Sequence, residues 1–251
     1  FRGQGMTYEL YLPVYNGVKW LAVGTDASAS FRFVEGSQER PIVVYGTSIA
    51  HGASASRPGL IWSTRLKRRY ECPVVNLGFS GSGKMEHVMF DALAEIDARA
   101  YIIDCVPNCA ALTCQEFEER LRYGIDRLRK AGKAPIIFAE NQFIDHPSAL
   151  VHSAGYRGQM EKDSVQQQVV KELQAKGVEG LYYVTRADLG FEADDFIEGD
   201  HLNDIGMLKY ERAYARVLDQ AMVGADTMRH YTPCTQRRDG YDWIERHNSI
   251  I

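Results

Sequence analysis

The stretch Ile42-Val-Val-Tyr-Gly-Thr-Ser-Ile49 decides the fold class and contains the first candidate functional residue. It opens with four apolar residues, three of them β-branched, a composition typical of a short buried strand. Gly46 permits a sharp turn after this strand and leaves Ser48 at the strand tip, near a helix start. A serine in that position is more often a helix N-cap than a nucleophile, so its role has to be judged from the other strand ends.

Similar apolar runs recur along the chain and alternate with amphipathic segments. The further runs are Val74–Leu77, Tyr101–Val106, Pro135–Ala139 and Leu181–Val184. Helical periodicity is found near residues 61–69, 85–98, 115–131, 160–176 and 205–221. This alternation predicts an α/β fold of three layers, α/β/α, with a five-stranded parallel sheet of the flavodoxin-like type. Functional groups of such sheets lie at the carboxyl ends of the strands.

The flanks of this region predict additional parts. Residues 8–15 and 18–23 are rich in strand-forming side chains and are separated by Asn16-Gly17, which favours a hairpin, a short β segment before the sheet. An isolated hairpin is marginally stable, so residues 1–38 are interpreted as the end or remnant of an N-terminal β-domain. The main domain is predicted over residues 39–225, and residues 226–251 are predicted to form a tail packed on the core.

Composition limits the function classes. The 251 residues are 45% hydrophobic with a formal net charge of −4, which provides no broad basic field for nucleic acid. No apolar run approaches the roughly 20 residues that span a bilayer. The five cysteines lack paired CxxC motifs, which argues against a zinc ribbon, and we predict neither a metal nor an organic cofactor. A local disulfide among Cys105, Cys109 and Cys114 stays open.

Three further strand ends carry groups suited to acyl transfer. The glycine-rich loop 78–83 can direct backbone N–H groups at a negative charge, and Asn108 adds a side-chain amide at the same edge. Glu198 and His201 precede the last helix. A serine hydroxyl needs a base such as imidazole to remove its proton, a carboxylate to orient that imidazole, and donors for the oxyanion that forms.

In order along the chain, Ser48, Gly81, Asn108 and His201 resemble the four blocks of the SGNH (GDSL-like) hydrolase superfamily. The resemblance implies that Ser48 is the nucleophile and His201 the general base. It also implies an oxyanion hole made of the Ser48 and Gly81 backbone N–H groups and the Asn108 amide. The family usually has aspartate three residues before the histidine, and this chain has Glu198 there. Glu198 is therefore the expected third triad member, with Asp195 and Asp200 as the alternatives.

The flanks sharpen the resemblance. Residues 11–17 and the tail 236–247 look like the corresponding parts of a bacterial subfamily that has a small N-terminal β-domain. This implies export to the periplasm or the extracellular space and action on esterified carbohydrates. We therefore expect a serine esterase acting on a small-molecule or carbohydrate ester, with an O-acetyl ester favoured. The sequence predicts no oligomeric state.

Competing interpretations concern the same motifs. Residues 78–84 satisfy the Gly-x-x-x-x-Gly-Lys part of a nucleotide-binding P-loop, but Met85 stands where Ser or Thr should bind Mg²⁺. The Gly-x-Ser-x-Gly elbow of α/β-hydrolases is absent from residues 46–50 and 78–82. A non-catalytic carbohydrate-binding protein on the same scaffold is the remaining alternative, against which the Ser48 and His201 pair argues.

Overall fold

The computed structural model describes residues 7–142 and 154–223. Five strands form one parallel sheet in the order β2-β1-β3-β4-β5. The strands are β1 (Ile42–Gly46), β2 (Val74–Gly78), β3 (Ala100–Asp104), β4 (Ile136–Ala139) and β5 (Leu181–Val184). The predicted α/β fold with a five-stranded parallel sheet is confirmed.

Seven α-helices lie in the described part of the chain. They are α1 (Ser48–His51), α2 (Trp62–Tyr70), α3 (His87–Leu93), α4 (Cys114–Ala131), α5 (Ala154–Ala175), α6 (Arg186–Leu189) and α7 (Asp204–Val223). The five long helical segments expected from periodicity correspond to α2, α3, α4, α5 and α7.

The core consists of two apolar clusters, one on each face of the sheet. Because successive strand side chains point to opposite faces, Ile42 and Val44 belong to one cluster, and Val43 and Tyr45 to the other. The first cluster includes side chains of α2 and α7, and the second includes side chains of α3, α4 and α5. Helices therefore cover both faces of the sheet, which explains why β1 and β3 are buried along their whole length.

The strand order brings three strand ends together. β1 lies between β2 and β3, and Gly46 at its end is in register with Gly78 on one side and Asp104 on the other. The chain connections that leave these strands therefore start at one place on the carboxyl edge of the sheet. This is the point where the strand order reverses, which is where ligands bind in open α/β sheets.

The N-terminal segment corrects one expectation. Residues 7–41 contain no paired strands, so the hairpin predicted around Asn16-Gly17 is not formed. No neighbouring strand is available for residues 7–41 to pair with. Individual side chains of this segment contact α2 instead. Glu9 forms an ion pair with Lys67, and the guanidinium of Arg68 stands over the Tyr11 ring, 5.6 Å from its centroid.

The remaining division of the chain stays a prediction. The tail expected at residues 226–251 lies outside the described residues. None of the helices in residues 7–142 and 154–223 is long and apolar enough to cross a membrane.

Candidate active site

Ser48 stands at the turn from β1 into α1. Thr47 is the N-cap of the helix, and its buried side chain accepts a hydrogen bond from the backbone N–H of Ile49. Ser48 is thus the first helical residue rather than the cap, which leaves its hydroxyl available for another partner. The short helix ends at His51 and is capped by Gly52, whose φ of 108° lies in the left-handed region.

This turn is fixed by close backbone packing. A Cβ atom at Gly78 would overlap the backbone nitrogen of His51, and one at Gly83 would overlap the carbonyl oxygen of Gly46. The side-chain amide of Asn76 donates a 2.6 Å hydrogen bond to the carbonyl of Ala50. Glycines at the end of β2 and in the loop after it therefore allow this part of the chain to pack directly against the turn that carries Ser48.

His201 is held in a tight turn before α7. Phe196 and Leu202 form an isolated antiparallel bridge, and the N–H of Ile197 donates to the carbonyl of His201 at 2.9 Å. This turn places Nε2 of His201 at 2.8 Å from Oγ of Ser48. The structure therefore brings together two residues that are 153 positions apart in the chain.

Glu198 is the acid that contacts the histidine. Its carboxylate is hydrogen-bonded to Nδ1 of His201, on the side of the ring opposite Ser48. A carboxylate there favours the tautomer with hydrogen on Nδ1, so that Nε2 is free to accept the hydrogen of the Ser48 hydroxyl. The longer glutamate side chain thus spans the distance that the family usually bridges with aspartate.

The two alternative acids, Asp195 and Asp200, make different contacts from those of Glu198. Asp195 is buried, and its carboxylate accepts hydrogen bonds from Nζ of Lys209 and the N–H of Glu192, each at 2.7 Å. Asp200 is exposed, but partial desolvation of its carboxyl and the nearby charge of Glu198 raise its pKa. Its backbone carbonyl accepts a 3.5 Å hydrogen bond from the amide of Gln142. The geometry favours Glu198 over both.

The two remaining oxyanion candidates lie on the neighbouring connections. Asn108 ends a 3₁₀ turn, Val106–Asn108, directly after β3, and its Nδ2 is 3.4 Å from the carbonyl oxygen of Phe79. Gly81 follows two residues later in that loop, is exposed, and has a φ of 70°. The loop after β2 and the turn after β3 therefore meet at the carboxyl edge where Ser48 begins α1.

The Lys84 region is not arranged as a phosphate cradle. The carboxylate of Glu86 accepts hydrogen bonds from the N–H of Lys84, at 2.8 Å, and from the Tyr45 hydroxyl. A carboxylate therefore lies against the backbone where a P-loop would need to receive a phosphate. Met85 is buried, and α3 begins only at His87.

Several buried polar residues at the strand ends have no place in the predicted catalytic site. Asp104 is buried at the end of β3 and accepts a 2.5 Å hydrogen bond from the Tyr210 hydroxyl. Burial raises the pKa of this carboxyl to about 6, although the hydrogen bonds from Tyr210 and Tyr214 oppose the shift. The signal in the sequence was an acidic residue that ends an apolar strand. Asn141 and Gln142, also buried, follow β4 in the same way.

The contacts of His51 and of the cysteines are structural rather than catalytic. The ring of His51 stacks on Tyr15 with centroids 4.2 Å apart, and its Nε2 lies 2.8 Å from the carbonyl of Val14. This histidine holds the N-terminal segment against α1.

Cys105, Cys109 and Cys114 are free thiols, so they form no local disulfide. Burial raises the pKa of Cys109 to about 12. In the described ranges no three or more His, Cys, Asp or Glu side chains are grouped to hold a metal ion.

Comparison of the sequence and the structure with known proteins identifies the class of protein. A sequence model of the GDSL-like lipase/acylhydrolase family matches residues 39–219, and the chain belongs to this family. The resemblance to SGNH hydrolases is thereby confirmed. No curated protein sequence matches the chain.

Solved structures show the same fold. A GDSL-like lipase from Bacteroides ovatus is 31% identical with a TM-score of 0.69, over 79% of this chain and 58% of that chain. The salicylyl-acyltransferase SsfX3 from a tetracycline biosynthetic pathway is 17% identical with a TM-score of 0.61, over 78% and 58% of the two chains. Est24, a carbohydrate acetylesterase from Sinorhizobium meliloti, is 12% identical with a TM-score of 0.54, over 74% and 99%. The chain thus spans less than two thirds of the first two proteins.

Proposed function

We propose that this protein hydrolyses a carboxylic ester through a covalent acyl-serine, with Ser48 as nucleophile. The observation that carries the proposal is the hydrogen-bonded chain from Oγ of Ser48 through the imidazole of His201 to the carboxylate of Glu198. A serine, a base on its hydroxyl and an acid on the far nitrogen of that base are the parts that activate a serine in unrelated hydrolases. Membership of the GDSL-like lipase/acylhydrolase family supports the same reaction class.

In the proposed mechanism Oγ of Ser48 attacks the ester carbonyl carbon while its proton moves to Nε2 of His201. The negative charge that develops on the carbonyl oxygen is stabilised by the backbone N–H groups of Ser48 and Gly81 and by the amide of Asn108. The tetrahedral species collapses, and the imidazolium protonates the departing alcohol. Water then attacks the acyl-serine with His201 as base, which releases the carboxylic acid and restores the hydroxyl.

A carbohydrate O-acetyl ester is our proposed substrate class. Exposed polar residues lie in the loop after β2, Ser80 and Ser82, and in the turn before α7, Glu198 and Asp200. Such groups can exchange hydrogen bonds with the hydroxyls of a sugar. One protein with the same fold, Est24, is a carbohydrate acetylesterase. The resemblance of the flanks to an exported bacterial subfamily leads us to propose a periplasmic or extracellular location as well.

The test compares p-nitrophenyl acetate hydrolysis by the unmodified protein with that of Ser48→Ala, and then measures acetate release from glucose pentaacetate. Ser164→Ala, an exposed serine on α5, is the matched control. We expect turnover that is lost in Ser48→Ala and retained in Ser164→Ala. Turnover that survives in Ser48→Ala would contradict the mechanism. Binding of sugars without turnover would favour the non-catalytic carbohydrate-binding alternative.

A further inference from the structure

The oxyanion candidate Asn108 is supported by a side chain from a different layer of the fold. Gln159 on α5 donates a hydrogen bond from Nε2 to the carbonyl oxygen of Pro107, at 3.0 Å. Pro107 directly precedes Asn108 in the 3₁₀ turn. The contact joins α5 to the turn after β3, and the two residues are 52 positions apart in the sequence.

This contact fixes a peptide plane. The carbonyl of Pro107 and the backbone nitrogen of Asn108 belong to one rigid peptide unit, so holding the oxygen also holds the direction in which Asn108 leaves the turn. Inside the turn, the N–H of Asn108 donates to the carbonyl of Cys105 at 3.1 Å. The Gln159 amide is thus a second restraint, on the opposite edge of the same peptide unit.

Gln159 is itself oriented by a buried chain of polar groups. Its Oε1 accepts a 2.8 Å hydrogen bond from Nδ2 of Asn141, a residue only 1% exposed. The backbone N–H of Asn141 donates to Asp163 at 2.8 Å, and Asp163 also pairs with Arg186 at 2.9 Å. Because both amide ends of Gln159 have partners, the amide has one preferred orientation, with its donor toward Pro107.

We propose that Gln159 is a positioning residue, which aims the Asn108 amide at the oxyanion of the reaction. The proposal rests on the proposed function, since it concerns the same site. Gln159 touches neither substrate nor Ser48 in this role. It acts on the transition state only through Asn108, and this dependence separates it from a residue that merely stabilises the fold.

The test is a double-mutant cycle with p-nitrophenyl acetate. Gln159→Met keeps the length of the side chain but removes both the donor to Pro107 and the acceptor of the Asn141 amide. Misplacing a group that acts in the transition state can cost up to about 100-fold, so we expect kcat to fall about 10- to 100-fold, with KM little changed. In an Asn108→Ala background the same substitution should cause no further fall in kcat.

The chain offers a closely matched control. Gln166 lies on the same helix, is buried, and donates its side-chain amide to the carbonyl of Ala139 at 2.8 Å. Gln166→Met therefore removes the same kind of hydrogen bond away from Asn108, and we expect a lower melting temperature with unchanged kcat. Gln159→Leu is carried through the same cycle if the Gln159→Met protein does not fold.

The outcomes separate the two levels of the proposal. An active enzyme in which Gln159→Met costs the same factor with and without Asn108 would overturn the positioning role and leave the proposed function intact. An equal loss of kcat in Gln166→Met would overturn it too. Absence of Ser48-dependent turnover in the unmodified protein would instead refute the proposed function, and the positioning role with it.

Discussion

Glu198→Gln tests the residue in which this site departs from its family. The substitution keeps the size and shape of the side chain but removes its negative charge. The glutamine oxygen can still accept a hydrogen bond from Nδ1 of His201, which retains the ring orientation. What is lost is the charge that stabilises the imidazolium formed when Ser48 gives up its proton.

The exposure of the pair sets the size of the effect. The Glu198 side chain is 58% exposed and that of His201 is 29% exposed, so water screens their interaction. Exposed ion pairs contribute about 0.2–1 kcal/mol and hydrogen bonds to charged groups about 1.5–3 kcal/mol. An intermediate loss of about 1–2 kcal/mol corresponds to a fall in kcat of roughly 5- to 30-fold. This is far below the roughly 10⁴-fold effect known for a buried triad aspartate.

The assay is steady-state hydrolysis of p-nitrophenyl acetate by Glu198→Gln, with Asp200→Asn as the matched control. Both substitutions remove one carboxylate from the same turn, but only Glu198 contacts the imidazole. We expect the moderate loss in Glu198→Gln and near-normal kcat in Asp200→Asn. The reasoning is refuted if the larger loss occurs in Asp200→Asn, or if Glu198→Gln loses 1,000-fold or more.

Two further predictions concern stability. Burial raises the pKa of Asp104 from 3.8 to about 6, so its contribution to stability is fully present below pH 3.8 and is lost as the pH rises to 6. Asp104→Asn should therefore reduce the fall in unfolding free energy between pH 4 and pH 7 by about 2 kcal/mol. Urea titrations at both pH values would measure this difference, and an unchanged pH dependence would contradict the prediction. In Gly78→Ala the new Cβ would overlap the His51 backbone, and we expect a loss of about 1–3 kcal/mol, seen as a lower melting temperature. An unchanged melting temperature would contradict this prediction and show that the turn can shift to accept the added Cβ atom.

The architecture was predictable because local sequence determines it. The strands β1 and β3 are apolar and buried on both faces, except that β3 ends in Asp104, and the long helices carry their apolar residues at helical spacing. Once a parallel sheet was inferred, Ser48 and Asn108 were expected at one edge, because residues that follow parallel strands share that edge.

The parts that could not be predicted depend on long-range contacts. The N-terminal segment has a hairpin pattern, but strand pairing needs a neighbouring strand, and residues 7–41 have none in the described structure. The hydrogen bond from Gln159 to Pro107 joins residues 52 positions apart, and neither residue has an unusual local pattern. Glu198 was expected from its position three residues before His201, but the exclusion of Asp195 depended on packing, because Lys209 of α7 forms an ion pair with Asp195.

The most direct test of the acyl-serine mechanism is the intact mass of the protein after treatment with a fluorophosphonate, an inhibitor that reacts with activated serine hydroxyls. We expect one adduct per chain, located on Ser48 by peptide mapping, and no adduct in Ser48→Ala or in His201→Ala. An unmodified protein, or an adduct that forms equally in Ser48→Ala, would contradict the assignment of Ser48 as the activated nucleophile.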